Sequence, residues 1–273
     1  MEITFWGVRG TAPVSGKEKN KYGGHTLCAS VVTCGGEKII VDAGTGVRQL
    51  GEKLIKEKGK APLHLSLLLT HFHLDHIIGL PFFAPLYLED VHMTFYAPAL
   101  PDETKKYLTG LMARRYFPQD FLKTESKKTF KEVPEESFSL GPLLVSHCPL
   151  IHPQGSIAFK IQEKEKSIVF ASDTEPPEQG MDEKLISFVR RASIFVYDAM
   201  YTPQEYESGK RGWGHSTWLE GTKIAKAAGV GSLYLSHFNP GHSDRQIDRM
   251  VMLARREFSK THGARQGLKK TLI

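Results

Sequence analysis

Short apolar runs recur along the chain, and several of them stop abruptly at an Asp or a His. Ile3 to Val8 reads as a first strand, and Ile39-Ile40-Val41 ends at Asp42. Leu63-His64-Leu65-Ser66-Leu67-Leu68-Leu69, bounded by Pro62, reads as a buried strand that runs into Thr70-His71-Phe72-His73-Leu74-Asp75-His76. Further on, Leu143-Leu144-Val145 precedes His152, Ser167 to Ser172 leads into Asp173, Ile194 to Asp198 forms a strand, and Ser232 to Ser236 leads into His237. Helical spacing fills the intervals. Thr45 is expected to cap a helix with Val47, Leu50 and Leu54 on one face and Gly59 as its stop. A helix-like stretch lies around Lys105 to Arg115, within a charged segment. Thr217 and Glu220 predict a capping box ahead of a helix ending near Gly229. Ile247, Met250, Val251 and Ala254 mark the core face of the last helix. Residues 1–262 are expected to form the domain, and the basic segment 263–273 a frayed C-terminal tail.

The stretch His71 to His76 carries the strongest chemical signal. Its four metal-capable side chains fall within six residues. A chain leaving a strand in extended form sends residues i and i+2 to one side, so His71 and His73 can converge. Asp75 and His76 follow where the chain bends away, and they can face a second point nearby. Imidazole nitrogen suits Zn²⁺, and a carboxylate adds negative charge that stabilises paired dications. Without such partners, a polar cluster at the mouth of an apolar strand would be poorly satisfied when buried.

This HxHxDH pattern, with Asp42-Ala43-Gly44-Thr45-Gly46, His152-Pro153-Gln154-Gly155-Ser156, Asp173 and His237 in order, resembles the metallo-β-lactamase-fold hydrolases over nearly the whole chain. The resemblance implies an α/β fold, a four-layer αββα sandwich in a single domain. It implies that His71, His73 and His152 hold one metal, that Asp75, His76 and His237 hold the other, and that Asp173 bridges both. Asp42 is expected to brace the metal loops as an acceptor behind the ligands. Two such metals, about 3.5–4 Å apart, activate a bridging hydroxide for in-line displacement at phosphorus. Zinc is favoured by the imidazole content. Manganese or iron is the runner-up, since ligand type does not settle the metal.

Two further segments are similar to the phosphodiesterase and tRNA 3′-processing branch of that superfamily. Phe5-Trp6-Gly7-Val8-Arg9-Gly10 and Tyr22-Gly23-Gly24-His25-Thr26 match its GxRG start and YGGNT loop, with His25 where Asn is usual. The glycines either serve tight turns, or their amides and Arg9 hold a phosphate near the metals; the sequence leaves both readings open. Gly212-Trp213-Gly214-His215-Ser216-Thr217 resembles the HST segment, whose histidine faces the scissile diester instead of binding metal. His215 is therefore expected to protonate the leaving oxygen, with a loop or cap role as the alternative. Asp75 and His215 are the catalytic assignments. No long insertion separates His152 from Asp173, so the RNA-binding arm of the long-form processing enzymes has no room there. Small phosphodiesters, cyclic nucleotides foremost, are the expected substrates. The alternatives are a tRNA 3′-processing endoribonuclease, a thiolesterase or lactonase on the same metals, and a ligand-binding protein without activity. His215 argues against the thiolesterase, because a thiolate leaves without strong acid help. The complete ligand set argues against the inactive protein.

Composition changes this picture little. A chain of 273 residues with 40% hydrophobic residues can bury a sizeable core. No run approaches a membrane span, and the amino terminus lacks the basic and apolar regions of a signal peptide. Cys28, Cys34 and Cys148 are an odd set without paired spacing, which favours a reducing cytoplasm over a disulfide framework. The net charge of +6 admits an anionic substrate but does not require nucleic acid, because Lys and Arg are dispersed among Asp and Glu. Members of the branch often form dimers, so a homodimer is admitted, although no residue demonstrates one.

Overall fold

The computed structural model describes residues 1–272, which divide into two compact units. The first unit comprises residues 1–7, 25–134 and 266–271. Its strands are β1 (Glu2–Gly7), β2 (Cys28–Val32), β3 (Lys38–Val41), β4 (Leu63–Leu68), β5 (Val91–Ala97) and β6 (Lys127–Glu132). β1, β2 and β3 pair antiparallel, whereas β3 to β6 run parallel. The parallel pairings need crossovers, and helices supply two of them: α1 (Val47–Lys58) between β3 and β4, and α3 (Pro101–Leu111) between β5 and β6. α1 buries Val47, Leu50 and Leu54, as its spacing predicts, against a core that includes Leu65, Leu67, Phe83 and Phe95. α2 (Leu74–Ile77) is one turn directly after the His71 loop. The apolar run beyond it becomes two short 3₁₀ turns, Leu80–Phe82 and Ala84–Tyr87, each with a proline near its start, where a missing N–H costs least.

The second unit comprises residues 8–24 and 135–265, with 272. β7 (Phe138–Leu140), β8 (Leu143–Leu150), β9 (Ser156–Glu163) and β10 (Lys166–Ala171) are antiparallel neighbours. β10, β11 (Ile194–Asp198), β12 (Leu233–Ser236) and β13 (Thr261–Gly263) run parallel. α4 (Glu183–Val189), α6 (Trp218–Ala228) and α7 (Asp244–Glu257) are the crossovers, and α5 (Pro203–Glu207) is a single short turn. Ile247, Met250, Val251 and Ala254 are buried on α7, as their spacing requires.

Three local expectations need correction. Residues 263–271 are not a frayed tail: β14 (Lys269–Thr271) pairs antiparallel with β1, and Ala264 is fully buried. β14 brings the first sheet to seven strands, equal to the second. Thr45 does not cap α1. Gly46 occupies the N-cap without a side-chain bond, and the Thr45 hydroxyl instead accepts from the Thr26 amide at 2.9 Å. At α6 only half of the capping box forms. Thr217 accepts from the Glu220 amide at 3.2 Å, while the Glu220 carboxylate pairs with Lys223. Complete boxes occur at Thr202 on α5 and Ser243 on α7.

Because the Thr217 hydroxyl takes up an otherwise orphaned helix amide, Thr217→Ala should cost about 1 kcal/mol. Thermal unfolding should then shift down by roughly 2–4 °C. No shift would mean that the adjoining loop, not the cap, holds the start of α6.

Candidate metal centre

Parallel strands deliver their carboxyl ends side by side, and the polar residues of each unit collect there. In the first unit, Asp42 follows β3, the Thr70–His73 segment follows β4, and α2 carries Asp75 and His76. Asp42 is fully buried and left-handed at φ 57°, so its carboxylate turns back over the strand ends. Its Oδ1 accepts from the Thr70 amide at 2.8 Å, its Oδ2 accepts from the Thr70 hydroxyl at 2.9 Å, and Oδ2 lies 2.8 Å from His76 Nδ1. A carboxylate only accepts, so His76 carries its proton on Nδ1 and its lone pair on Nε2. Nε2 lies 3.5 Å from Asp75 Oδ2. The His71 ring centroid is 4.5 Å from that of His73 and 4.2 Å from that of His76. His71 Nδ1 is 3.0 Å from the Thr70 hydroxyl, so one threonine links the brace to two histidines. The structure thus brings His71, His73, Asp75, His76 and Asp42 together. His25 Nδ1 lies 3.1 Å from the Thr45 hydroxyl, and burial pushes its pKa down.

In the second unit, Asp173, Asp198 and His237 stand at the ends of β10, β11 and β12. One ligand atom from each of Asp173, Asp198, His215 and His237 lies within 4.8 Å of the others. Asp198 is fully buried and accepts from three amides: Asp173 at 3.0 Å, Met200 at 2.9 Å and Ser216 at 3.3 Å. Its Oδ2 is also 3.0 Å from His215 Nδ1 and 3.5 Å from His237 Nδ1. Asp173 Oδ1 lies 3.4 Å from His237 Nε2. His152 Nδ1 donates to the Gly214 carbonyl at 2.8 Å, which leaves its lone pair on Nε2. Gly214, at φ 78°, is required here, since a Cβ would stand 2.3 Å from His152 Nδ1. Gly10 is equally confined, since a Cβ there would meet His237 Cε1 at 2.3 Å. Tyr201, whose ring lies 6.1 Å from that of His215, has its pKa pushed up to about 12 by burial, with the Asp198 charge adding to it.

Arg9 faces none of these groups. Its guanidinium is fully buried, with Nε donating to the Gly23 carbonyl at 2.9 Å and Nη1 to the Asn239 and His242 carbonyls at 3.2 and 2.8 Å. Lys19 Nζ donates to the carbonyls of Pro240, Gly241 and His242 at 2.8–3.0 Å. Two cations therefore hold the loop that follows His237. Burial pushes both of their pKa values down.

Sequence reasoning missed Asp198 and Glu175. The signal for Asp198 was present, because it ends an apolar run as Asp42 and Asp173 do. Glu175 carries no local signal; its partners lie about the Gly212 turn, far along the chain. The donor chemistry of both units, imidazole nitrogen beside carboxylate oxygen, fits zinc and related divalent ions.

Known proteins share this arrangement of strands. The family described as the β-lactamase superfamily domain matches residues 37–238. A ribonuclease Z of Brevibacillus brevis is 24% identical, with 91% of this chain and 88% of that protein covered. The crystal structure of the metallo-β-lactamase fold protein YhfI from Bacillus subtilis superposes with a TM-score of 0.73 at 20% identity, covering 98% of each chain. A diphosphatase from the PhnP family superposes with a TM-score of 0.69 at 17% identity, covering 100% of this chain and 98% of the other.

Asp42→Asn would set an amide N–H against His76 Nδ1–H, or else force the imidazole proton onto Nε2. The first outcome misorients the ring, and the second removes the Nε2 lone pair that a metal needs. Zinc affinity should fall by roughly 10–100-fold, the usual effect of losing a partner behind a ligand. Competition with a chromogenic chelator measures this, and an unchanged affinity would show that Asp42 serves only the Thr70 turn.

Proposed function

Because this chain belongs to the metallo-β-lactamase superfamily of hydrolases, one α/β domain with two mixed sheets flanked by helices, we propose that it is a di-metal phosphodiesterase acting on small phosphodiesters. His71, His73 and His152 are assigned to one divalent ion, Asp75, His76 and His237 to a second, and Asp173 to both. Zinc is the assigned metal, on the strength of the imidazole content. When bound, the pair supplies an activated water and the positive charge that displacement at phosphorus needs.

The observation that carries the reading is the His215–Asp198 contact at 3.0 Å. With Nδ1–H engaged by Asp198, His215 meets the substrate through Nε2, and the buried carboxylate stabilises the protonated ring. As the scissile P–O bond breaks, the electron pair goes to the leaving oxygen, and His215 Nε2 gives that oxygen its proton. Asp198 already accepts from three backbone amides, so its lone pairs orient the loop and the imidazole in preference to holding an ion. Asp173 brings negative charge to the same strand ends, which a phosphate anion tolerates only with the ions in place.

The segment between His152 and Asp173 bears on substrate size. β9 and β10 are joined by a two-residue hairpin turn at 164–165, with no room for a long arm. Cyclic nucleotides are the leading candidates. A second reading, 3′-processing of precursor tRNA, is favoured by the ribonuclease Z relative, which matches this chain over most of its length. No helix among the described residues is long and apolar enough to cross a membrane, and Cys28, Cys34 and Cys148 form no disulfide. A cytoplasmic site of action is proposed on the cysteine chemistry.

His215→Ala should retain roughly two metal ions per chain by elemental analysis, as the seven assigned ligands imply. Its turnover of a diester with an alkyl leaving group should fall by roughly 10²–10⁴-fold, and that of a p-nitrophenyl ester by much less. Loss of metal on the same scale as in His71→Ala would make His215 a ligand. Equal losses on both esters, with metal retained, would make it a phosphate-positioning group.

Screened against cyclic nucleotides and precursor tRNA, the purified protein should turn over the small diesters faster. Accurate cleavage of precursor tRNA at its 3′ end, without activity on small diesters, would select the second reading.

A further inference from the structure

Glu175 lies two residues beyond Asp173, and its carboxylate gathers three donors from the far side of a glycine-rich turn. Oε1 accepts from the Gly212 amide at 2.6 Å and from the Tyr206 hydroxyl at 2.7 Å, and Oε2 accepts from the Gly214 amide at 3.0 Å. Gly209, Gly212 and Gly214 all take positive φ, at 116°, 80° and 78°. Such a turn has many conformations to lose when it is ordered, so an acceptor spanning two of its amides removes most of that freedom. Trp213, between the two bound amides, is 57% exposed, so apolar packing does not fix this part of the turn. A carboxylate offers two acceptor oxygens and no donor, so it can take both amides at once, one on each oxygen.

The clamp also closes a circuit through the site. The Glu175 amide donates to the Ile151 carbonyl at 2.7 Å, next to His152. The Gly214 carbonyl in turn receives the His152 Nδ1 proton, and His215 follows Gly214 directly. One residue thereby ties three segments together: the strand end bearing Asp173, the turn bearing His152 and the turn bearing His215. We propose that Glu175 is a positioning residue, a two-oxygen clamp that holds the Gly212–Gly214 turn so that His215 is presented in register with Asp198. The proposal rests on the reading of His215 as the proton donor. Glu175 touches neither substrate nor metal; it acts through the turn.

Two readouts on the metal-loaded protein test this. Hydrogen exchange of the 210–216 segment should speed up at least about tenfold in Glu175→Ala while staying near the parent rate in His215→Ala, since freed glycine amides open easily. Glu175→Ala should lower turnover of an alkyl-leaving diester by roughly 10–100-fold, the scale of a small misplacement of a reacting group. In the His215→Ala background the same change should cost less than about threefold, because coupled residues are not additive. Glu175→Gln keeps the size and one acceptor oxygen but sets an N–H₂ against the other amide, so it should fall between Ala and the parent. It serves if Glu175→Ala folds poorly. Unchanged exchange at Gly212 and Gly214, or equal losses in both backgrounds, would overturn the clamp. A silent His215→Ala would instead fail the proton-donor assignment, while the exchange rates would still decide whether Glu175 holds the turn.

Discussion

A buried carboxylate needs donors around it, and in each unit of this protein one such carboxylate sets the site. Asp42 and Asp198 are both fully buried at the ends of parallel strands. An isolated carboxylate there would cost several kcal/mol, so each survives only by collecting hydrogen bonds. Asp42 collects the Thr70 amide, the Thr70 hydroxyl and His76; Asp198 collects three amides and His215. The cost of burial is what makes the arrangement specific. A loop that drifted would strand a charge, so the loops and their histidines are held where the carboxylate is satisfied.

The two sheets repeat one pattern, three antiparallel pairings followed by three parallel ones. The parallel half matters for chemistry, because its strand ends lie in a row and each can present a polar residue. β3 and β4 present Asp42 and the His71–His73 segment in one unit; β10, β11 and β12 present Asp173, Asp198 and His237 in the other. The antiparallel half contributes no such row, and of the assigned ligands only His152 comes from it, on the turn between β8 and β9.

This organisation explains what was legible beforehand. An apolar run that ends in Asp or His is a local signal, so β3, β4, β10 and β12 and the polar residues at their ends could be read directly. The α7 face was legible for the same reason, since helical spacing survives in sequence. Asp198 carried that same signal but lay in no recognised motif, and only its contacts with His215 and His237 give it a role. Three other features depended on distant partners. Arg9 stands in a loop that looks phosphate-binding, yet carbonyls of Gly23, Asn239 and His242 occupy it. Lys269 to Thr271 reads as a basic tail because β14 is short and exposed, and only its pairing with β1 makes it a strand. Thr45 has the chemistry of a helix cap but is engaged by Thr26 from the loop that precedes β2.

Three of the seven non-glycine residues with positive φ among the described residues fall at these same strand ends. Asp42, Asp173 and His237 have φ of 57°, 58° and 56°, a region that residues with a Cβ enter at a cost. Each directly follows, or lies two residues beyond, the last residue of a parallel strand. The side chains at these positions meet residues that follow other strands of the same sheet, Asp42 meeting Thr70 and Asp173 meeting His237. Glycine would relieve the strain at all three positions and would abolish the carboxylate or the imidazole. Retaining Asp and His at left-handed positions is therefore a trade of stability for chemistry, and it is Asp, the residue most tolerant of this region after Gly and Asn, that fills two of the three. The remaining strain at His237 falls where Gly10 packs against the imidazole and where Arg9 and Lys19 grip the loop that follows. Buried cations thus help to hold a strained residue of the candidate site in place, and the Gly-rich amino-terminal loop acts on it through the backbone it holds.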